Sequence, residues 1–191
     1  GLVAKAEEAG ARFFSNARVT GLSEESNGVV VTSERGQVVA SEVLVATNGY
    51  TTNLTPRLYQ RVVPIASAII ATEELSPNLM AHLMPQHRVF GDTLRVHHYY
   101  QPSPDGLRVL FGGRLPGRAD TTNPRDFAHL QQDMTKLFPE LVGTAISHAW
   151  SGYIAYTRDT MPHIGKRDRI YHAMGYCGSG VARASHAGRK V

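Results

Sequence analysis

The chain has 191 residues, 42% of them hydrophobic and 19% charged, with a formal net charge of +4 and one cysteine. That size suits one large domain or two small ones, and the composition is that of an ordinary globular protein. A single cysteine excludes an internal disulfide framework and fits a reducing, cytoplasmic setting; the lack of any apolar run near ~20 residues excludes a membrane-spanning helix; and scattered lysines and arginines give no nucleic-acid footprint.

In chain order, Leu2 to Ala9 has apolar residues at helical spacing, and Gly10 suits the helix end. Arg12-Phe13-Phe14 and Ala17-Arg18-Val19-Thr20-Gly21-Leu22 read as a short strand followed by a turn. Ser26-Asn27-Gly28 is a hairpin signal before Val29-Val30-Val31-Thr32, and Arg35-Gly36-Gln37 turns into Val38-Val39-Ala40, giving a three-stranded meander. Glu42-Val43-Leu44-Val45-Ala46 is a continuous apolar run of the kind found in buried parallel strands. It ends in the polar loop Thr47-Asn48-Gly49-Tyr50, at the strand end where open α/β sheets bind ligands.

The pattern changes at Leu54-Thr55-Pro56. Val62 to Thr72 reads as a long strand with Pro64 near its start, and Leu75 to Met84 as a short helix stopped by Pro85. Residues 95–100 and 107–113 read as a hairpin around Pro102-Ser103-Pro104-Asp105-Gly106. Asn123-Pro124 opens a helix that runs to about Phe138, where Pro139 stops it. Ile146 to Tyr156 reads as a strand, Arg158 to Pro162 as a loop, and Ile170 to Met174 as a strand feeding Gly175-Tyr176-Cys177-Gly178-Ser179-Gly180-Val181. A helical pattern continues to Val191. A strand that turns on glycines into a helix presents unpaired N–H groups and a positive dipole end, which favour an electron-rich ligand. The bland alternative is a tight strand–helix connection. The helical patterns at both termini lack start and stop signals, so a piece of a longer protein is expected.

Three stretches in this order resemble the D-amino-acid-oxidase-like family of FAD-dependent oxidoreductases, which includes glycine, sarcosine, D-amino-acid and γ-glutamylputrescine oxidases. They are Ala17-Arg18-Val19, Val43-Leu44-Val45-Ala46-Thr47-Asn48-Gly49-Tyr50, and Trp150 to Gly165 leading to the glycine turn. The resemblance implies a mixed α/β and α+β fold: part of a Rossmann-like FAD domain at residues 1–53 and 149–191, split around an antiparallel-sheet substrate domain at 54–148. It implies FAD contacts at Val19, Ala46, Thr47, Asn48, Gly49, Gly152, Gly175, Gly178, Ser179, Gly180 and Val181. It places substrate near Tyr99, Arg114, Tyr153, Ile154 and Arg183.

Several features depart from the family pattern. No strand followed by Gly-x-Gly-x-x-Gly binds the cofactor's pyrophosphate, so the missing N-terminal part of the same protein is an expected partner. Some relatives tether flavin through a cysteine where this chain has Tyr153-Ile154-Ala155, so non-covalent FAD is expected. Where relatives hold a substrate carboxylate with arginine or lysine, this chain has Ile154 and Ala182, with Arg183 beside the latter. The expected reaction is C–N oxidation of an amine or amino acid to an imine, with a γ-glutamylputrescine-like amine favoured. The alternatives are a non-catalytic FAD-fold interaction module and an NAD(P)-linked reductase.

Individual side chains keep two readings. Tyr99 is sheet packing or an aromatic wall over the flavin; Arg114 is a substrate contact or a solvated arginine; Trp150 and Tyr153 are pocket or core aromatics. Cys177 reads as a small buried thiol, with redox sensing or flavin contact as the alternative. No metal site is expected: His97 and His98 are adjacent and so face opposite sides of a strand, and His82 and His87 lack a third partner. No catalytic acid–base pair stands out.

Overall fold

The structure is a computed structural model that describes residues 1–94 and 97–191. Its largest element is a five-stranded antiparallel sheet. In chain order its strands are β5 (Val63–Thr72), β6 (Phe90–Gly91), β7 (Tyr99–Pro102), β8 (Val109–Arg114) and β9 (Ile146–Tyr156). In space the order is β6-β7-β8-β5-β9. The sequence of β5, Val-Pro-Ile-Ala-Ser-Ala-Ile-Ile-Ala-Thr, alternates in burial: Ala66, Ala68 and Ile70 are buried, while Ile65, Ser67 and Ile69 are only partly so. Pro64 is the second residue of the strand, ahead of the stretch paired with β8 (Ser67 to Ala71), so its missing N–H costs little there.

The inward face of this sheet is closed by α3 (Pro77–Leu83) and α4 (Ala128–Leu137). Ile70, Val109 and Phe111 from the strands meet Met80, Met84, Leu130, Met134 and Leu141 in one core. Each large side chain here contributes about 1.5–3 kcal/mol by leaving water. Both helices start on side-chain caps followed by proline: Ser76 Oγ accepts from Leu79 N at 3.3 Å, and Asn123 Oδ1 accepts from Arg125 N at 3.1 Å in the 3-10 turn that leads into α4. Proline at the first helical position costs no hydrogen bond, because that N–H has no intrahelical partner anyway.

Two smaller sheets complete the chain. Strands β1 (Val19–Glu25), β2 (Gly28–Ser33) and β3 (Gly36–Ala40) form an antiparallel meander after helix α1 (Leu2–Glu8). A mixed sheet has the order β10-β11-β4, from β4 (Val43–Val45), β10 (His163–Arg167) and β11 (Ile170–Met174). In it β4 runs parallel to β11, pairing Val43, Leu44 and Val45 with Ile170, Tyr171 and His172. Parallel strands need a long crossover, and here the whole five-stranded sheet lies in that connection. Helix α5 (Gly180–Gly188) follows β11 and packs Ala187 against Ala173 and Tyr176. Strand β9 links the two regions: its Ala155 enters a second core with Val45, Val62 and Met174. It runs without a break through residues 148 and 149.

The expected mixed α/β and α+β architecture is what the chain adopts. Some elements differ from the sequence reading. Arg12–Phe14 forms no strand, and Gly21-Leu22 is not a turn but lies inside β1. The register shifts between Val19 and Gly21, and a Cβ on Gly21 would come within 3.2 Å of Thr32, so the glycine serves a strand irregularity. Strand β10 and helix α2 (Pro56–Tyr59) were not foreseen. The helix expected from Leu75 starts at Pro77, after its Ser76 cap. Of the strand expected over residues 95–100, Arg95 and Val96 lie outside the described residues, and regular pairing begins at Tyr99. Among the described residues no helix is long and apolar enough to cross a membrane.

Candidate functional site

The glycine turn is built from unusual backbone. Gly175, Cys177 and Gly178 all have positive φ, at 75°, 51° and 91°. Cys177 N donates to Ala155 O at 3.0 Å, which ties the turn to β9. Gly175 N donates to Asn48 Oδ1 at 3.0 Å, which ties it to the loop after β4. Asn48 itself is left-handed, φ 46°, a conformation asparagine tolerates better than most residues. Gly49 packs so tightly on β9 that a Cβ there would lie 2.5 Å from Tyr153 O. Two chain segments over a hundred residues apart are thus fixed against each other by an amide, a glycine and a turn.

The turn opens onto a cleft of ≈ 830 Å³ whose floor is the outward face of the five-stranded sheet, within the size range of small-molecule sites. Its lining includes Ile65, Ser67 and Ile69 of β5, Tyr99 and Gln101 of β7, and Leu110, Gly112 and Arg114 of β8. Ile154 and Tyr156 of β9 line it too, with Gly178 and Val181 from the start of α5. Strand register explains the set: Ile65 faces Ile154, Ser67 faces both Gly152 and Arg114, and Ile69 faces Gly112. Cross-strand partners share a face, so alternate residues of four strands build one surface.

The polar groups of the floor form a short chain. Tyr99 lays its ring across Gly112, where any Cβ would collide with the ring. Its hydroxyl thereby reaches Ser67 Oγ on β5 at 2.9 Å, and Ser67 Oγ also donates to Gly113 O at 3.1 Å. Burial pushes the Tyr99 phenol above its ordinary value of 10.0, with the Ser67 hydrogen bond opposing, so the phenol is neutral. The described lining contains no carboxylate, and Arg114 is its one arginine.

At the start of α5, Arg183 N is the first to find a carbonyl of its own turn, Ser179 O at 3.1 Å. Among the described residues no side chain caps the preceding N–H groups, the Ser179 hydroxyl included. Val181 beside them is 94% exposed.

The sequence-derived candidates separate on this geometry. Tyr99, Arg114, Ile154, Gly178 and Val181 come together at the cleft. Tyr153, next to Ile154 on a strand, faces the other way, packing edge-on against Tyr50 at 5.5 Å and donating its backbone N–H to the Tyr50 hydroxyl oxygen at 3.2 Å. Asn48, Gly49, Gly152 and Gly175 lie around that contact and the turn, and Ala46 and Thr47 sit exposed at the end of β4. Ser179 and Gly180 begin α5, Arg183 is exposed on it outside the cleft lining, and Val19 pairs with Ser33 at the start of the meander. Cys177 is half-buried rather than buried, its Sγ 3.3 Å from Gly175 O, because the left-handed turn holds it at the surface. Trp150 is 45% exposed, so it is not a core aromatic.

His97 lines the cleft while His98 turns toward Asp92 and Asp133, at 3.0 and 3.3 Å, so the adjacent pair does face opposite ways. No group of three or more metal-ligating side chains occurs among the described residues. Ser67, Gly112 and Tyr156 were not singled out as site residues. The alternation Ile65-Ala66-Ser67-Ala68-Ile69, small residues inward and larger ones outward, carries that signal for β5.

The whole chain, residues 1–191, matches the family model described as FAD dependent oxidoreductase. A probable oxidoreductase OrdL of Rhizobium meliloti (strain 1021) is 33% identical over 191 residues, which is 99% of this chain and 44% of that protein. The gamma-glutamylputrescine oxidoreductase of Escherichia coli (strain K12) is 34% identical over 185 residues, 95% of this chain and 42% of that protein. Among solved structures, glycine oxidase from Geobacillus kaustophilus superposes with a TM-score of 0.78 at 22% identity, covering 96% of this chain and 49% of its own. L-proline dehydrogenase from P. horikoshii gives 0.74 at 24% identity, covering 97% and 50%. The chain thus spans less than half the length of the curated relatives it matches.

Proposed function

The chain belongs to the FAD-dependent oxidoreductase family, and from that premise we propose that the whole protein oxidises the C–N bond of an amine or amino acid to an imine. The favoured substrate is an amine whose reacting carbon bears no carboxylate, as in γ-glutamylputrescine. The observation that carries this reading is the cleft wall at Ile154, which faces Ile65 across β5 and β9. A carboxylate held against that apolar pair would lose its hydration without gaining a charged partner, a very large cost. A methylene chain gains by the same contact. Arg114 remains available for an anionic group distant from the reacting carbon.

The residues present fit FAD. The uncapped N–H groups of α5, the positive end of its dipole, Gly178 with φ 91° and no Cβ, and the exposed Val181 together suit a flat, electron-rich ring. Bound there, FAD supplies the acceptor for the hydride equivalent that leaves the substrate carbon. The α5 N–H groups would hold the ring's electron-rich edge. Tyr156 and Ile154 form the adjoining wall, and the sheet floor keeps water from the reacting carbon.

Asn48, Gly49 and the loop after β4 are proposed to line the dinucleotide, with Val19 toward its adenine end. In this reading residues 1–53 and 149–191 are cofactor-domain segments and 54–148 the substrate domain, an arrangement supported by the parallel pairing of β4 with β11. FAD is proposed to be non-covalent: Tyr153-Ile154-Ala155 has no cysteine, and Cys177 turns its sulfur to Gly175 O and Thr157, outside the cleft lining.

The test is anaerobic flavin reduction in the whole protein. A monoacylated putrescine should bleach the flavin quickly, while glycine, sarcosine and D-amino acids should be poor. The reverse order refutes the substrate class. Acid precipitation should release the yellow colour into the supernatant; colour held in the pellet refutes non-covalent attachment.

A further inference from the structure

The Tyr99 hydroxyl has one proton and two places in the protein to put it. In one arrangement Ser67 Oγ donates to Gly113 O at 3.1 Å and therefore accepts from Tyr99 at 2.9 Å. In the other, Ser67 donates to Tyr99, and the Tyr99 proton turns to Ala68 O at 3.4 Å. Both arrangements commit the phenolic proton to β5 and leave an oxygen lone pair without a donor among the described residues. The oxygen belongs to a residue that lines the cleft, among Ile65, Ile69, Leu110 and Ile154.

Resting on the functional reading above, we infer that Tyr99 is a dedicated hydrogen-bond acceptor that selects an N–H or O–H donor of the substrate and disfavours a carboxylate. Ser67 is the positioning residue that imposes this polarity, and Gly112 is the one that admits the ring. A carboxylate brings only acceptors, so against a lone pair it finds repulsion where a free tyrosine would have offered a proton. A neutral amine or an ammonium brings donors and satisfies the oxygen. Tyr99 thus adds to the selection that Ile154 makes by apolarity, through a different physical effect. Burial keeps the phenol neutral, so the acceptor is an uncharged oxygen over the ordinary pH range.

The experiment uses the whole flavin-loaded protein, its Tyr99→Phe and Ser67→Ala variants, and two probes. The first is a monoacylated putrescine, whose dissociation constant is read from the concentration dependence of anaerobic flavin reduction. The second is 2-aminoisobutyrate, which has a carboxylate but no hydrogen on the amine-bearing carbon, and whose competition against the first gives an inhibition constant. Tyr99→Phe should weaken the amine by roughly 2- to 10-fold with little change in the limiting rate, the worth of one hydrogen bond. Ser67→Ala leaves the phenolic proton only the long 3.4 Å contact to Ala68 O on β5, so it should turn toward the cleft more often, and 2-aminoisobutyrate should compete better while the amine binds less well. A purely structural role would weaken both ligands together, and that result overturns the inference, as does an unchanged constant for the amine in Tyr99→Phe. Wild-type protein whose flavin is reduced by neither amines nor amino acids overturns the functional reading itself, and with it this one.

Discussion

The two faces of the five-stranded sheet are made from the same strands and do opposite work. On the inner face Ile70, Val109 and Phe111 are fully buried under α3 and α4. On the outer face Ile65, Ile69, Tyr99 and Ile154 are partly exposed around an open cleft. The inner face is apolar except for a few satisfied groups, such as the fully buried Thr72, whose hydroxyl accepts from Val109 N at 3.1 Å, and His98 between Asp92 and Asp133, so its tolerance is set mainly by volume. The outer face carries a hydroxyl relay, one arginine and a glycine kept free for a ring. Strand periodicity forces this division, because neighbours along a strand must face apart. A residue's task is therefore decided by its parity as much as by its type.

The largest effect that sharpens this contrast is on the inner face. Phe111→Ala should cost about 3–5 kcal/mol in chemical denaturation, through lost burial and an unfilled cavity. A cost below ~1 kcal/mol would mean that the helices do not close on Phe111 as described. Next comes Gly112→Ala on the outer face. The new methyl drives the Tyr99 ring off the sheet, so stability should fall by about 1–3 kcal/mol, as in overpacking, and amine affinity should fall with it. Full retention of both would show that the ring has another place to lie.

Much of this was legible in the sequence, for particular reasons. Strands β5, β9 and β11 are legible to within a residue because each is a run rich in apolar and aromatic residues bounded by loop segments. The parallel nature of β4 followed from its unbroken apolar run, and its partner β11 is the strand that feeds the glycine turn. Strand β10 escaped notice because His163-Ile164-Gly165-Lys166-Arg167 is polar and holds a glycine, and its pairing with β11 is a tertiary fact. The resemblance implies both Tyr153 and Ile154 as substrate contacts, but neighbours on a strand cannot share a face, and only Ile154 lines the cleft. The Tyr99–Ser67 relay was out of reach. It spans three strands and 32 residues of chain, and only the register that sets Gly112 between them makes it possible.

The smallest effect concerns the other sheet. Burial, with Arg61 and His163 adding, holds the His172 imidazole below its ordinary 6.5. The unfolded chain then takes up the proton first as pH falls, so His172's contribution to stability is full above 6.5 and is lost through the lower folded value. Thermal midpoints should drop from about pH 7 to about pH 5, and His172→Gln should flatten part of that drop. An identical slope in the variant assigns the effect to other groups. Because His172 is on the mixed sheet, cleft ligands should leave this slope unchanged.

The division of labour between the faces is tested most directly by two neighbours on one strand. Ile69 lines the cleft and Ile70, the next residue, is fully buried in the core. The measurement is a paired one in the whole protein: denaturation midpoint and amine dissociation constant for Ile69→Ala and Ile70→Ala. The account predicts that Ile70→Ala loses about 2–5 kcal/mol of stability while its folded fraction binds amine normally. It predicts that Ile69→Ala changes stability little and weakens the amine several-fold. Equal losses of stability and of affinity in the two variants would contradict it.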